Sequence, residues 1–202
     1  MNLPRFVSVD VGAPLLSGRT SLAAGTLAIT AGGADIWESR DEFHFAHAPI
    51  AGGFEFTARF DSLTMADVYT KAGLMVRASL EADAAHVFFF AFGDNQPRNH
   101  NNGGIEFQSR VEDGGTCQAS YPPSPLPAEP DFPVEFPLVW LKLSRQGDTF
   151  TSQFSPDGVQ WKIYGVHRQV LPASVLVGLA VTSHQVEQTV DAVFSQVTLK
   201  TE

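Results

Sequence analysis

Residues 68–79 are VYTKAGLMVRAS, an apolar segment that carries two cations, Lys71 and Arg77. Successive side chains of an extended strand point to opposite faces, so alternate residues share a face. Leu74 and Val76 then lie on one face, and both cations lie on the other. The segment predicts a strand with one face against an apolar core and two positive charges on the opposite face.

The same alternation recurs along most of the chain and predicts an antiparallel β protein. In GFEFTARFDSL (53–63) and GGIEFQSRVEDGG (103–115), apolar residues alternate with polar and charged ones. Gly, Pro, Asn or Asp bounds each such segment, as turns between strands require. Further strands are predicted at 25–30, 42–46, 86–92, 138–144, 148–154, 160–164, 175–182 and 192–199.

Two short turns predict a meander of three strands between about residues 138 and 164. The first turn is a Gly-containing loop. In the second, Pro156 fixes φ and Gly158 tolerates positive φ. The one predicted helix is short and lies at SLEADAAH (79–86), with Ser79 as its N-cap.

Two long segments lack the alternation. GDNQPRNHNNGG (93–104) is polar, and residues 112–137 hold seven of the thirteen prolines. Loops of this length in a compact domain are usually functional covers or connectors. Because prolines lower the entropy cost of ordering a segment, the Pro-rich part at about 116–137 is predicted to be a stiff arm that lies across a sheet.

Composition predicts one folded domain over residues 1–202. The chain is 44% hydrophobic and 17% charged, and a β-sandwich of this length is commonly a single unit. Sixteen Phe residues, against three Tyr and three Trp, predict a thick core filled by plain aromatic rings.

The net charge argues against two classes of partner. Thirteen basic and 22 acidic residues give a formal charge of −9. Such a surface repels phosphate backbones and anionic membrane surfaces, so neither a nucleic acid nor a membrane is expected as a partner. In addition, no apolar run approaches the ~20 residues that a membrane helix needs.

Location is predicted from the start of the chain and from its cysteine. The sequence MNLPRFVSVDVGAP lacks the apolar core and cleavage site of a secretory signal. Cys117 is the only cysteine, so the chain has no disulfide of its own, as is typical of reduced compartments. A cytoplasmic location is the simplest expectation.

Several segments together resemble one family. DIWESRDEFHFAHAPIAGGFEFTARFDSL (35–63), YTKAGLMVRASL (69–80) and SPDGVQW (155–161) occur in the order and spacing of a concanavalin A-like jelly-roll family. Most members have no assigned function, and one is a fungal protein named for the regulation of enolase. The resemblance extends over essentially residues 1–200. It implies an all-β jelly-roll sandwich of two antiparallel sheets, but such sandwiches have many unrelated roles.

The resemblance also implies a groove on the outward face of one sheet. Alternation places Lys71 and Arg77 on the outward face of their strand, and Glu106, Gln108 and Arg110 on the polar face of another. The polar row of Glu55 and Arg59 shares their surface if all three strands lie in one sheet. The ligand-binding groove is predicted to contain Trp37, Lys71, Arg77, Glu106, Gln108, Arg110 and His184.

No catalytic residue is predicted. Glycoside hydrolases of this superfamily carry E-x-D-x-E on one strand, and this chain has no such triplet. Glu42, Glu55 and Glu106 are expected to neutralise groove cations, and Cys117 to be an ordinary thiol. No metal or cofactor is predicted, because His44 and His47 fall on opposite faces of a strand and the other histidines are scattered.

Three functional hypotheses follow. The first is a non-catalytic binding module for a sugar or a small metabolite, with a groove whose charged groups bind hydroxyls or a carboxylate. The second is a cytoplasmic regulatory protein that affects carbohydrate metabolism through a protein partner such as enolase. The third is a glycan hydrolase or lyase, which requires two convergent carboxylates. Against all three, the polar residues could form an ion network that binds nothing.

Overall fold

The computed structural model describes residues 5–93, 104–120 and 139–201. These residues form strands β1 Val7–Val11, β2 Arg19–Ala23, β3 Thr26–Ala31, β4 Ile36–Trp37, β5 Arg40–Asp41, β6 Phe43–Ala51, β7 Phe54–Leu63, β8 Lys71–Arg77, β9 His86–Phe92, β10 Ile105–Arg110, β11 Gln118–Ser120, β12 Val139–Gln146, β13 Thr149–Ser155, β14 Lys162–Arg168, β15 Ser174–Thr182 and β16 Val190–Thr201. Residues 94–103 and 121–138 lie outside the described residues. They include most of the predicted polar loop and most of the predicted Pro-rich arm.

The strands form two seven-stranded sheets and one small hairpin. The front sheet has the order β1-β6-β15-β8-β9-β10-β11, and the back sheet has the order β14-β13-β12-β7-β16-β3-β2. The strands of the β4–β5 hairpin pair with each other and with no described strand of either large sheet. Every pairing is antiparallel. The prediction of an all-β sandwich of two antiparallel sheets is confirmed.

The main core lies between the two sheets, as the alternation predicts. Leu74 and Val76 of β8 pack there with Phe89 of β9, opposite Phe56 and Phe60 of β7. All five side chains are completely buried. A shift of register by one residue would bury the charged faces of these strands and expose their apolar ones, so the alternation fixes the register strongly.

The predicted helix at 79–86 is wrong. Within the three described ranges, no segment is helical, and none is a helix long and apolar enough to cross a membrane. Residues 78–85 form an irregular turn between β8 and β9, in which the Ser79 hydroxyl accepts a hydrogen bond from the Glu81 amide. The carbonyls of Ser79 and Glu81 accept hydrogen bonds from the Arg77 guanidinium. These contacts of the turn with the Arg77 side chain outweigh the weak local preference for a helix.

The predicted meander is confirmed in the back sheet. Strands β12, β13 and β14 are consecutive neighbours. The second turn has Gly158 at φ +73°, a backbone conformation that other residues rarely adopt. The Asp157 carboxylate accepts hydrogen bonds from the amides of Val159 and Gln160 and closes this turn.

The outer face of the front sheet carries a second apolar layer. Phe88, Phe90 and Phe92 of β9 lie there, and the Phe88 and Phe90 rings stack at 4.5 Å between centroids. Ile36 of the β4–β5 hairpin packs against them together with Met75 of β8. The hairpin therefore covers part of a face that an uncovered sandwich would present to solvent.

A polar seam joins the two sheets at one side. His44 of β6 lies with Nδ1 2.7 Å from the Asp10 carboxylate on β1 and Nε2 3.0 Å from the Thr20 hydroxyl on β2. The Gly18 amide donates to both oxygens of Asp10. Because β1 and β6 belong to the front sheet and β2 to the back sheet, this chain of hydrogen bonds connects the layers.

Leu74→Ala should lower the free energy of unfolding by about 2–5 kcal/mol, because it leaves a cavity in the core between the sheets. Val166→Ala is a suitable control, since Val166 is 62% exposed on β14 and should change stability by no more than about 0.5 kcal/mol. Chemical denaturation measures both values. Equal effects of the two substitutions would mean that β8 does not face the core.

Candidate functional site

The β4–β5 hairpin crosses the outer face of the front sheet and is held there by polar side chains of β8 and β10. The Ile36 carbonyl accepts a hydrogen bond from Lys71 Nζ at 3.0 Å and another from Gln108 Nε2 at 2.8 Å. Both side chains come from the outward faces that the alternation predicts. One carbonyl of the hairpin is therefore bound by two strands of the sheet.

A buried carboxylate at the end of the hairpin binds two arginines. Asp41 accepts from Arg77 Nη1 at 2.6 Å, and from Arg110 Nη1 and Nη2 at 2.7 Å each. The three residues are completely buried. The pair with Arg110 is bidentate, the strongest geometry for a guanidinium and a carboxylate.

Arg110 also binds the backbone of the hairpin and of the segment before β11. Its guanidinium donates to the carbonyls of Trp37, Glu38 and Gly115 at 2.9–3.3 Å. The Cys117 amide donates to the same Glu38 carbonyl at 2.9 Å. Glu38 has a left-handed φ of +42°, which is uncommon outside glycine. These contacts with its carbonyl support that conformation.

The network sets the charge of its members. Burial alone would raise the pKa of Asp41, but hydrogen bonds from Arg110 and the charges of both arginines hold that pKa below its ordinary value. Burial lowers the pKa of His86 to about 3, with the two guanidiniums acting in the same direction. His86 is thus neutral, and its Nδ1 lies 3.4 Å from Nη1 of each arginine and 3.3 Å from the Ala84 carbonyl.

Cys117 lies beside this network, with Sγ 3.7 Å from His86 Nε2. The spacing of the residues did not indicate this histidine neighbour, because His86 lies 31 residues away along the chain. Burial raises the pKa of the Cys117 thiol to about 12, so it stays protonated and unreactive. Ligand atoms of Asp41, His86 and Cys117 lie within 4.8 Å of one another. Two guanidiniums occupy the Asp41 carboxylate, however, and their charges disfavour a metal cation there.

An open cavity lies at the other end of the same face, where β8 begins and β9 ends. We call it the Trp37 cavity. Its volume is about 320 Å³, and it is lined by Asp35, Trp37, Tyr69, Lys71, Phe92, Glu106, Ala119 and His184. The Trp37 and Tyr69 rings supply aromatic surface beside carboxylates and cations. Concave sites with aromatic walls and a few convergent polar groups are typical of small-molecule binding.

The charged groups of the Trp37 cavity are linked by short contacts. Asp35 Oδ1 lies 2.7 Å from Lys71 Nζ, and Oδ2 lies 3.2 Å from His184 Nε2. The other ring nitrogen of His184 lies 3.3 Å from the Asp67 carboxylate. Lys71 Nζ also lies 5.5 Å from the centre of the Trp37 ring, within range of a cation–π interaction. These contacts restrict the conformations of the Asp35, Lys71 and His184 side chains.

The pKa values of Asp35 and His184 shift in complementary directions. Burial alone would raise the pKa of Asp35, but the hydrogen bond from His184 and the charge of Lys71 bring it below its ordinary value. The hydrogen bond to Asp35 raises the pKa of His184, with burial opposing this and the charges of Asp35 and Asp67 adding to it. The pair is therefore stabilised as carboxylate and imidazolium.

The seven predicted groove residues divide into two groups. Four of them line the Trp37 cavity: Trp37, Lys71, Glu106 and His184. The other three, Arg77, Gln108 and Arg110, lie on the same outer face but are completely buried beneath the hairpin. Ile36 and Asp41 of the hairpin bind these three side chains, and the ligand-binding role predicted for them stays a prediction.

The predicted carboxylates do not gather at one place. Glu55 lies on β7 of the back sheet, where it pairs with Lys142 and Lys200 at 3.5 and 3.2 Å. Glu106 lies on β10 of the front sheet. The polar rows of β7 and β10 therefore lie on different sheets and do not share a surface. Glu55 and Glu106 cannot serve as a convergent pair.

Sequence reasoning missed Asp35, Asp41 and Tyr69. Asp35 and Asp41 lie at the two ends of the short segment that forms the hairpin. Each strand of this hairpin has only two residues, so it is too short for an alternating pattern to indicate a strand. Tyr69 precedes β8 in a turn that the Asp67 carboxylate closes through the Tyr69 amide. The acidic residues on either side of Ile36-Trp37 were the one feature of the sequence that could have indicated a site at the hairpin.

Comparisons with known proteins support the fold. A family model described as "Protein of unknown function (DUF1349)" matches residues 20–202. No curated protein matches the chain. A solved structure of a functionally unknown protein from Saccharomyces cerevisiae has a TM-score of 0.70 at 17% identity, covering 98% of this chain and 97% of that chain.

Two further solved structures are proteins of the carbohydrate-binding and lectin types. The carbohydrate-binding module CBM66 from Bacillus subtilis has a TM-score of 0.57 at 17% identity, covering 96% of this chain and 95% of that chain. Lectin I-B4 from Griffonia simplicifolia has a TM-score of 0.51 at 12% identity, covering 98% and 94%. At these identities the similarities establish the jelly-roll sandwich fold and nothing about ligands.

Asp41→Asn should destabilise the protein more than Arg77→Met. Losing the Asp41 charge leaves two buried guanidiniums without their shared carboxylate, at a cost of about 3–5 kcal/mol. Losing Arg77 leaves Asp41 and Arg110 as a neutral pair, so the cost should be smaller. Chemical denaturation at neutral pH compares the two. A larger loss for Arg77→Met would show that its contacts with the Ser79 and Glu81 carbonyls dominate instead.

His184 should make stability depend on pH. Because its folded pKa is raised, its contribution is complete below the ordinary value of 6.5 and is lost as pH rises through the folded pKa. His184→Asn is the matched variant, since Asn tolerates the left-handed φ of +59° at this position but does not titrate. The stability difference between wild type and variant, from denaturation between pH 5.5 and 9, should shrink with rising pH. A constant difference would contradict this assignment.

Proposed function

The chain belongs to the DUF1349 family of proteins of unknown function, and we propose that it is a non-catalytic binding protein that takes a neutral sugar in the Trp37 cavity. One observation carries the proposal. Trp37 and Tyr69 place aromatic surface beside Asp35 and Glu106, within one cavity of about 320 Å³. The apolar face of a sugar ring packs against aromatic rings, while carboxylates accept hydrogen bonds from its hydroxyls.

The charges of the cavity favour a neutral ligand. Lys71 and His184 are the cations of the cavity wall, and each already contacts Asp35. Glu106 on the wall and Asp67 behind His184 add negative charge. An anionic ligand would meet this negative charge, whereas a hydroxyl group donates to it. Each carboxylate has about four lone-pair sites, so a protein contact leaves room for a ligand contact.

The lowered pKa of Asp35 argues against this residue as the general acid of a hydrolase. A glycosidase needs a carboxyl group whose pKa is raised, so that it can protonate the leaving group. Asp35 on the cavity wall has a lowered pKa, because the hydrogen bond from His184 and the charge of Lys71 outweigh burial. It is a stable hydrogen-bond acceptor and a poor acid.

The fold supports the proposal in a general way. A carbohydrate-binding module and a plant lectin share the jelly-roll sandwich with this chain. A regulatory role through a protein partner such as enolase stays a prediction from the family resemblance, and a cytoplasmic location stays a prediction from the start of the chain and its single cysteine. A pull-down from lysate would test the partner, separately from any test of sugar binding.

A glycan array followed by calorimetry tests the proposal. Wild type should bind at least one neutral sugar, and Trp37→Ala should weaken that binding at least tenfold, which is about 1.4 kcal/mol. Trp161→Ala is the matched control, because the Trp161 ring also packs against a lysine, Lys142, at 4.0 Å, but lies on the back sheet. It should leave the affinity unchanged.

Two results would overturn the proposal. One is the absence of binding to any neutral sugar on the array. The other is equal affinity of Trp37→Ala and Trp161→Ala for the bound sugar, which would place the ligand outside the Trp37 cavity.

A further inference from the structure

A second cavity adjoins the Trp37 cavity. Its volume is about 440 Å³, and it shares Asp35, Trp37 and His184 with the first. Its remaining walls are Ala34, Glu38, Arg40 and Glu42. The two cavities therefore lie on either side of a common boundary formed by an indole, a carboxylate and an imidazole. We call the second one the Glu38 cavity.

The walls of the Glu38 cavity are positioned by the backbone of the hairpin. The Glu38 carbonyl is bound by Arg110 and by the Cys117 amide, while its side chain is exposed. Arg40 Nη2 donates to the Gly12 carbonyl at 3.2 Å, and a Glu42 oxygen accepts from the Ala34 amide at 3.4 Å. These contacts hold the side chains near the cavity and leave hydrogen-bonding positions on each of them.

The two cavities differ in their hydrogen-bonding groups. In the Trp37 cavity, the Lys71 ammonium is already bound to Asp35 and to the Ile36 carbonyl, so carboxylate acceptors dominate. The Glu38 cavity adds a guanidinium, Arg40, which carries five N–H donors. It can therefore donate to ring and hydroxyl oxygens, and its carboxylates can accept from hydroxyls. Both halves of sugar hydrogen bonding are present there.

We propose that the two cavities are adjoining subsites for consecutive units of one glycan chain. The inference rests on the proposed function and adds the size of the ligand, which is an oligosaccharide of at least two neutral sugar units. One unit lies in the Trp37 cavity and the next in the Glu38 cavity. Trp37, Asp35 and His184 border both, so the linkage between the units crosses their shared edge.

Calorimetry on the full chain tests the inference. The probes are glucose, galactose, mannose, xylose and fructose, each compared with its own disaccharide and trisaccharide. For the sugar that binds, the disaccharide should bind at least tenfold more tightly than the monosaccharide. Arg40→Ala and Glu42→Gln should remove most of that gain and leave monosaccharide affinity unchanged. Arg168→Ala, at an exposed arginine of β14, is the control and should change neither.

The outcomes separate the two proposals. Equal affinity for monosaccharide and disaccharide, with monosaccharide binding intact and lost in Trp37→Ala, overturns the second subsite and leaves the proposed function standing. A disaccharide gain that persists in both Arg40→Ala and Glu42→Gln also overturns the second subsite. Absence of binding to every neutral sugar on the glycan array overturns the proposed function, and the inference with it.

Discussion

The buried contact between Asp41 and two arginines is the interaction on which the rest of the site depends. It fixes the end of the β4–β5 hairpin to β8 and β10 of the front sheet. Arg110 then reaches the backbone carbonyls of Trp37 and Glu38, so the same guanidinium that neutralises Asp41 also sets the path of the hairpin. Together with the hydrogen bonds from Lys71 and Gln108 to the Ile36 carbonyl, this anchor holds Trp37 at the boundary of two cavities.

The electrostatics explain why the open part of the site lies at one end of the sheet. Two guanidiniums and one carboxylate carry a net positive charge in a region closed to solvent, and neutral His86 adds no further charge. Such a cluster is costly to bury unless backbone carbonyls supply further acceptors, which the hairpin and the adjacent turn do. The side chains of Arg77, Arg110 and Asp41 are therefore used in contacts that hold the fold together. Lys71 lies at the other end of β8, where the hairpin ends and the Trp37 cavity begins.

The family resemblance implied the jelly-roll sandwich. Alternation alone was enough to predict the strands and the outward direction of Lys71, Arg77 and Arg110, because a strand fixes side-chain direction with a period of two. It could not predict that a hairpin covers the two arginines. Asp41 lies 36 residues from Arg77 and 69 from Arg110 along the chain, and its own strand has only two residues. Contacts of this kind depend on where an irregular segment packs in the folded protein. The pattern of residues along the chain does not predict that position. Tyr69 was missed for the same reason, since turn geometry places it.

The position of Cys117 gives the molecule a built-in chemical reporter. It is the only cysteine of the chain, it is 3% exposed, and its amide is bonded to the hairpin through Glu38. A thiol reagent can react with this buried sulfur only when the structure around it opens, so, where opening and closing are fast, the labelling rate reports the free energy of that local opening. That energy is distinct from the energy of global unfolding. Labelling of Cys117 therefore measures local opening near the hairpin in the protein as it is, without any introduced probe.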